Sequence, residues 1–142
     1  MKKLILTLTL ILTSVMSLSA DPGCKLGEYL STVQSEVPGL RFLRDWPSQG
    51  AQYVIYYETG VSSSYYFKNN RCVKEEFTIN CDKQKANYFF NSYVSDFANQ
   101  NYIRVIEGSN SVTFYFSRIQ VKVSVEHFVG SEYLCKVIYT FR

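Results

Sequence analysis

The chain has 142 residues, 15 Lys+Arg against 12 Asp+Glu, four Cys, one His and an aromatic fraction of 16%. An apolar fraction of 46% excludes a disordered or fibrous chain, and the length suits one domain with a single sizeable core. Electrostatics argues against nucleic acid as a partner, because most of the small positive excess belongs to the first three residues.

Lys2 and Lys3 precede an apolar stretch over residues 4–16, and small residues follow at Ser17, Ser19 and Ala20. That layout predicts a secretory signal peptide over residues 1–20, cleaved after Ala20, and hence a secreted or periplasmic mature chain over 21–142. The apolar run is shorter than the ~20 residues a membrane span needs, and no later segment is a better candidate. Without Lys2 and Lys3 the chain carries 13 basic and 12 acidic side chains. All 23 Tyr, Phe and Trp residues lie in the mature part, a richness that suits strands.

In the mature chain, Leu26, Tyr29, Leu30, Val33 and Val37 have the spacing of an apolar helical stripe. They predict a helix over residues 25–37, ended by Pro38-Gly39. Strands follow near 40–45, 52–58, 61–68 and 71–79, separated by turns at Ser48-Gln49-Gly50, Thr59-Gly60 and Asn69-Asn70. Asp82 is a good N-cap for a second helix over 82–98. Its stripe is Ala86, Phe89, Phe90, Tyr93 and Phe97. Four more strands are predicted near 102–107, 111–117, 119–127 and 132–141. The clearest alternates Ile119, Val121, Val123 and Val125 with Gln120, Lys122, Ser124 and Glu126, one face buried and one wet.

The second set of elements matches the first. The two helical stripes superpose at an offset of 60, Phe42-Leu43-Arg44 falls on Tyr102-Ile103-Arg104, and Ile55-Tyr56-Tyr57 matches Phe114-Tyr115-Phe116. Cys72 pairs with Cys135, and Phe77-Thr78-Ile79 with Tyr139-Thr140-Phe141. The expectation is an α+β chain of two tandem units, 24–80 and 81–142, forming one antiparallel sheet with two helices on one face. This order of elements, over the whole mature chain, resembles the tandem α-β4 design of secreted β-lactamase-inhibitory-protein-like modules. Residues 65–72 are also similar to a stretch of small secreted bacterial proteins. Neither likeness carries a functional residue over.

Four cysteines in an exported chain predict two disulfides. Cys72 and Cys81 stand roughly 25 Å apart along extended chain, too far to bridge. The start of each fourth strand lies beside the start of its helix, so Cys24–Cys72 and Cys81–Cys135 are expected, each stabilising by about 4 kcal/mol. Cys72 precedes Phe77 by five residues, whereas Cys135 precedes Tyr139 by four. For both thiols to face their helices, the first unit needs a β-bulge near Lys74–Glu76.

Groups able to converge for catalysis are few. The alternation places His127 inward near a strand end, as a packed, hydrogen-bonded residue, with Glu126 on the opposite face. Glu75-Glu76 reads as a solvated edge, and Ser62-Ser63-Ser64 as a polar strand start. No metal set, phosphate-binding loop or cofactor motif is present in the sequence. The reading is a non-enzyme without cofactor whose partner is another protein, an inhibitor or immunity-type factor acting through the open aromatic face of the sheet. Trp46 (placed in a turn), Tyr56, Tyr66, Arg44 and Arg104 are the candidate contacts, the two arginines at equivalent positions. An envelope accessory protein is the alternative, and a hydrolase or small-ligand carrier a third.

Overall fold

The computed structural model describes residues 25–100 and 102–142, without the side chains of 104–107. The predicted signal peptide and Cys24 therefore lie outside the described residues. A short helix α1 (Leu30–Glu36) leads into β1 (Arg41–Trp46), β2 (Gly50–Glu58), β3 (Val61–Lys68) and β4 (Arg71–Asp82). The longer helix α2 (Lys83–Asn99) then precedes β5 (Ile103–Glu107), β6 (Ser111–Phe116), β7 (Ile119–Val129) and β8 (Glu132–Phe141). All eight strands form one antiparallel sheet in the order β1-β2-β3-β4-β8-β7-β6-β5. The second meander thus folds back beside the first, with β4 and β8 at the centre and β1 and β5 at the edges.

Local chemistry accounts for most element ends. The Asp82 carboxylate accepts the Lys85 amide at 2.9 Å, capping α2 as expected. Asn69 and Asn70 both hold positive φ (49° and 64°), the two-residue turn that matches strand twist between β3 and β4. The first helix is shorter than predicted, because residues 25–27 form a turn and Gly27 and Glu28 pair with the start of β4 instead. The Gly27 amide donates to the Cys72 carbonyl and the Cys72 amide to the Glu28 carbonyl. Gly27 takes φ +84°, which helix cannot continue through.

One sheet face carries two apolar clusters. The larger joins Ala86, Tyr93 and Phe97 of α2 to Phe77, Ile79, Val112, Phe114, Val121, Val123, Val137 and Tyr139. The smaller joins Val33 of α1 to Tyr65, Phe67 and Cys72. Leu26 borders both. At about 25 cal/mol per Å², burying these side chains is the main force holding the sheet face together.

Single-residue bulges interrupt the ladders at Leu43, Tyr57, Val73, Val105 and Phe128. The one at Val73 lies just before the predicted range and does what the cysteine parity required. Phe67 pairs with Cys72 while Tyr66 pairs with Lys74, so Cys72 and Phe77 share the apolar face.

Glu75-Glu76 is not a solvated edge. Strand β4 is central, paired with both β3 and β8, and Glu75 is only 5% exposed, with Tyr65 and Tyr139 as its register neighbours. His127 pairs with Tyr133, as its predicted face requires, but lies beyond the packed core. Its ring is exposed, edge-on to Tyr133 at 5.1 Å, with Nε2 2.9 Å from the Gly130 carbonyl.

Candidate functional site

The face opposite the apolar clusters brings several sequence-predicted contacts together. Tyr53 and Ile55 pack into the smaller cluster, so Gln52, Val54 and Tyr56 project to the other side of β2. Register then places Arg41 beside Val54, Arg44 beside Gln52, Tyr66 beside Gln52 and Lys74, and Glu76 beside Ser64. Trp46 is not in a turn. It is the last residue of β1, paired with Gly50 across the hairpin.

Polar and cation–aromatic contacts lock these residues. The Trp46 indole N–H donates to Gln52 Oε1 at 2.7 Å, and Gln52 Nε2 donates to Ser64 Oγ at 3.0 Å. The Arg44 guanidinium lies over the Trp46 ring at 4.7 Å, and Lys74 Nζ over the Tyr66 ring at 4.4 Å. Lys74 also pairs with Glu76 at 2.8 Å and donates to Gln49 Oε1 at 3.0 Å. Gln52 thus has both ends of its amide engaged, which fixes its orientation.

The face is wet at its rim and dry inside. Val54, Gln52, Ser64 and Tyr66 are buried, although this side carries neither apolar cluster. The bulges at Leu43, Tyr57 and Val73 accompany this, since a bulge bends its strand and increases local twist. Tyr66 is therefore on the expected face but, at 5% exposure, is part of the floor. Burial, and then the Glu76 charge, push its phenol up to about 12, with Arg44 opposing, so the ring stays neutral at physiological pH. Tyr56, at 59% exposure, is an accessible aromatic of the face.

The two arginines do not occupy equivalent positions. Arg44 follows its bulge and pairs with Gln52, whereas Arg104 precedes its bulge and pairs with the core residue Phe114. The Arg104 side chain lies outside the description. Sequence reasoning missed Arg41, Gln52 and Lys74. The pattern of β2 and β4 carried signals for the last two, but Arg41 joins Arg44 only through a bulge that no periodicity reveals.

The second half of this face is built differently. Lys136 pairs with Glu126 at 2.7 Å, Ser124 and Thr113 are buried, and the Arg142 guanidinium lies over Tyr115 at 4.2 Å. A surface depression of about 520 Å³ near α1 has Asp45 and Lys68 as its ionisable lining. Another, of about 370 Å³, has Lys122, Glu126 and His127. Among the described residues no group of three or more His, Cys, Asp or Glu is placed to hold a metal, and no helix is long and apolar enough to cross a membrane.

Cys72, Cys81 and Cys135 are free thiols in the structure. Cys135 and Cys81 nevertheless lie on neighbouring strands, since Ile79 pairs with Cys135 and Cys81 with Tyr133. Burial, and then the Cys81 charge, push the Cys135 thiol up to about 12. The Cys72 thiol is pushed to about 12 by burial and then by Glu75. Such thiols are protonated at neutral pH and poor nucleophiles.

Together these features define an α+β protein with one wide antiparallel sheet and a rigid aromatic–cationic array at one end of its wet face. No protein-family model, curated protein or solved structure matches the chain.

Proposed function

We propose that the chain is a secreted or periplasmic protein-binding module, an inhibitor or immunity-type factor without turnover of its own. It is read as two tandem α-β4 units with both helices on one face, leaving the other face for a partner. The observation that carries this is the locked set Trp46–Gln52–Ser64 with Arg44 stacked on the indole and Tyr56 exposed further along β2 on the same face. Tyr, Trp and Arg are the residue types that dominate interface energetics, and side chains ordered beforehand lose little entropy on binding.

The test is affinity capture from the envelope fraction of the source organism, followed by gel filtration. Wild type is expected to retain one protein in a stoichiometric complex, and the Arg44→Glu/Tyr56→Ala variant to lose it. Failure of wild type to hold any stoichiometric protein would overturn the reading. Weak self-association instead would favour an envelope accessory role.

We also propose that Cys81–Cys135 and Cys24–Cys72 close as disulfides after export. Diagonal neighbours on adjacent strands lie about 7–8 Å apart, just beyond the span of a disulfide, so closure asks for only a small shift at the end of β4. For the other pair, support comes from the pairing of Gly27 and Glu28 with Cys72, three and four residues after Cys24. Non-reducing peptide mapping of the exported protein is expected to return these two linked pairs. A Cys72–Cys81 link, or four alkylatable thiols, would overturn both assignments.

A further inference from the structure

We infer that the rim formed by Arg41 and Arg44 on β1 is a carboxylate-recognition edge that takes an acidic segment of the partner protein. This deepens the protein-binding reading and rests on it. The bulge at Leu43 makes the edge. In a regular strand, residues three apart project to opposite faces, but one extra residue between them puts Arg41 beside Val54 and Arg44 beside Gln52, on the same face.

Both guanidinium groups are exposed, and neither makes an ion pair among the described residues. The carboxylates around them are committed elsewhere. Glu76 is held by Lys74 at 2.8 Å, and Asp45 pairs with Ala51, projecting to the apolar side. Arg44 is already stacked on an indole that Gln52 pins, so its planar fork of donors is presented without further ordering. Exposed Tyr56 extends the same face with apolar area and a hydroxyl.

The charge pattern favours a protein carboxylate over a nucleic acid. On the same face Lys74 is neutralised by Glu76 and Lys136 by Glu126, and Lys122 on β7 and Arg142 after β8 stand on the far half of the sheet, so the positive charge of the two arginines is not continued across its centre. A phosphate backbone would call for a longer track of free cations.

Trp46 is the sole tryptophan of the chain and lies under Arg44, so its emission reports the edge directly. The experiment titrates the full mature protein with hexaglutamate at low salt, with hexalysine and the oligonucleotide (dT)6 as comparators. Hexaglutamate alone is expected to give a saturable change. The response should vanish at 0.5 M NaCl, where screening is nearly complete at these distances. Affinity should fall about tenfold in Arg44→Gln and in Arg41→Gln, as for loss of one charge-assisted hydrogen bond. Arg41 does not touch the indole, so Arg41→Gln remains informative even where Arg44→Gln alters the emission by itself.

No saturable response, an affinity in both variants equal to that of wild type, or tighter binding of (dT)6 would each overturn the inference. Arginines that only guard the sheet edge would leave hexaglutamate unbound, and their Gln variants would self-associate. A natural partner retained by Arg41→Gln/Arg44→Gln sinks this edge and leaves the binding-module reading standing. Hexaglutamate binding without any captured partner does the reverse.

Discussion

Phe97→Ala is expected to lower unfolding stability by about 3–5 kcal/mol, a large share of the roughly 5–15 kcal/mol that holds a domain of this size together. Phe97 lies in the last turns of α2 and is 1% exposed. Its ring stands 5.1 Å from Tyr102, 5.6 Å from Phe114 and 6.2 Å from Tyr139, so it joins the helix to the segment before β5, to β6 and to β8 at once. Removing it loses the transfer energy of the ring, its edge-on contacts and the packing of three neighbours that cannot all collapse into the void. Tyr88→Ala, on the same helix but 60% exposed, is the matched control, with an expected change within about 0.5 kcal/mol. Urea denaturation of the two variants checks both values. A loss below about 1 kcal/mol at Phe97 would mean that α2 is not seated on the sheet through this ring.

Features that depend on short-range pattern were legible in the sequence. The Ile119–Val125 alternation marks the buried side of β7, and Val121 and Val123 are fully buried there. The Asp82 cap and the Asn69-Asn70 turn follow from side-chain chemistry and glycine-like backbone tolerance, and both hold. What periodicity misses is a change of phase. Each bulge flips every later side chain to the other face, and a bulge leaves no reliable compositional mark. Leu43 is the instructive case, because it places Arg41 with Arg44 and breaks the supposed equivalence of Arg44 with Arg104. Glu75 was misread for a related reason. An acidic pair on a strand suggests water, yet the strand's central place in the sheet, which depends on β8 some sixty residues later, decides its burial.

The wet face depends on a close backbone approach at Gly50, and there Gly50→Ala is expected to cost about 2–3 kcal/mol or more. Gly50 opens β2 with φ +94°, a conformation that L side chains rarely adopt. A Cβ there would lie 2.3 Å from the Phe67 carbonyl oxygen and 2.9 Å from its carbon, so the obstacle is backbone, which cannot rotate away. The substitution must push the β1–β2 hairpin off β3. Gly130→Ala separates the two contributions: φ is +56° and no atom lies within 4 Å of the added Cβ. Only the strain of a left-handed residue remains, about 1 kcal/mol. Because Gly50 pairs with Trp46, the hairpin shift should also loosen the indole from Gln52 and move Trp46 emission toward that of a solvated ring. Thermal melts with fluorescence detection read both effects in one experiment. Equal melting temperatures for the two variants, with unchanged emission, would show that the hairpin does not approach β3 this closely, and that the Trp46–Arg44 array is not held by it.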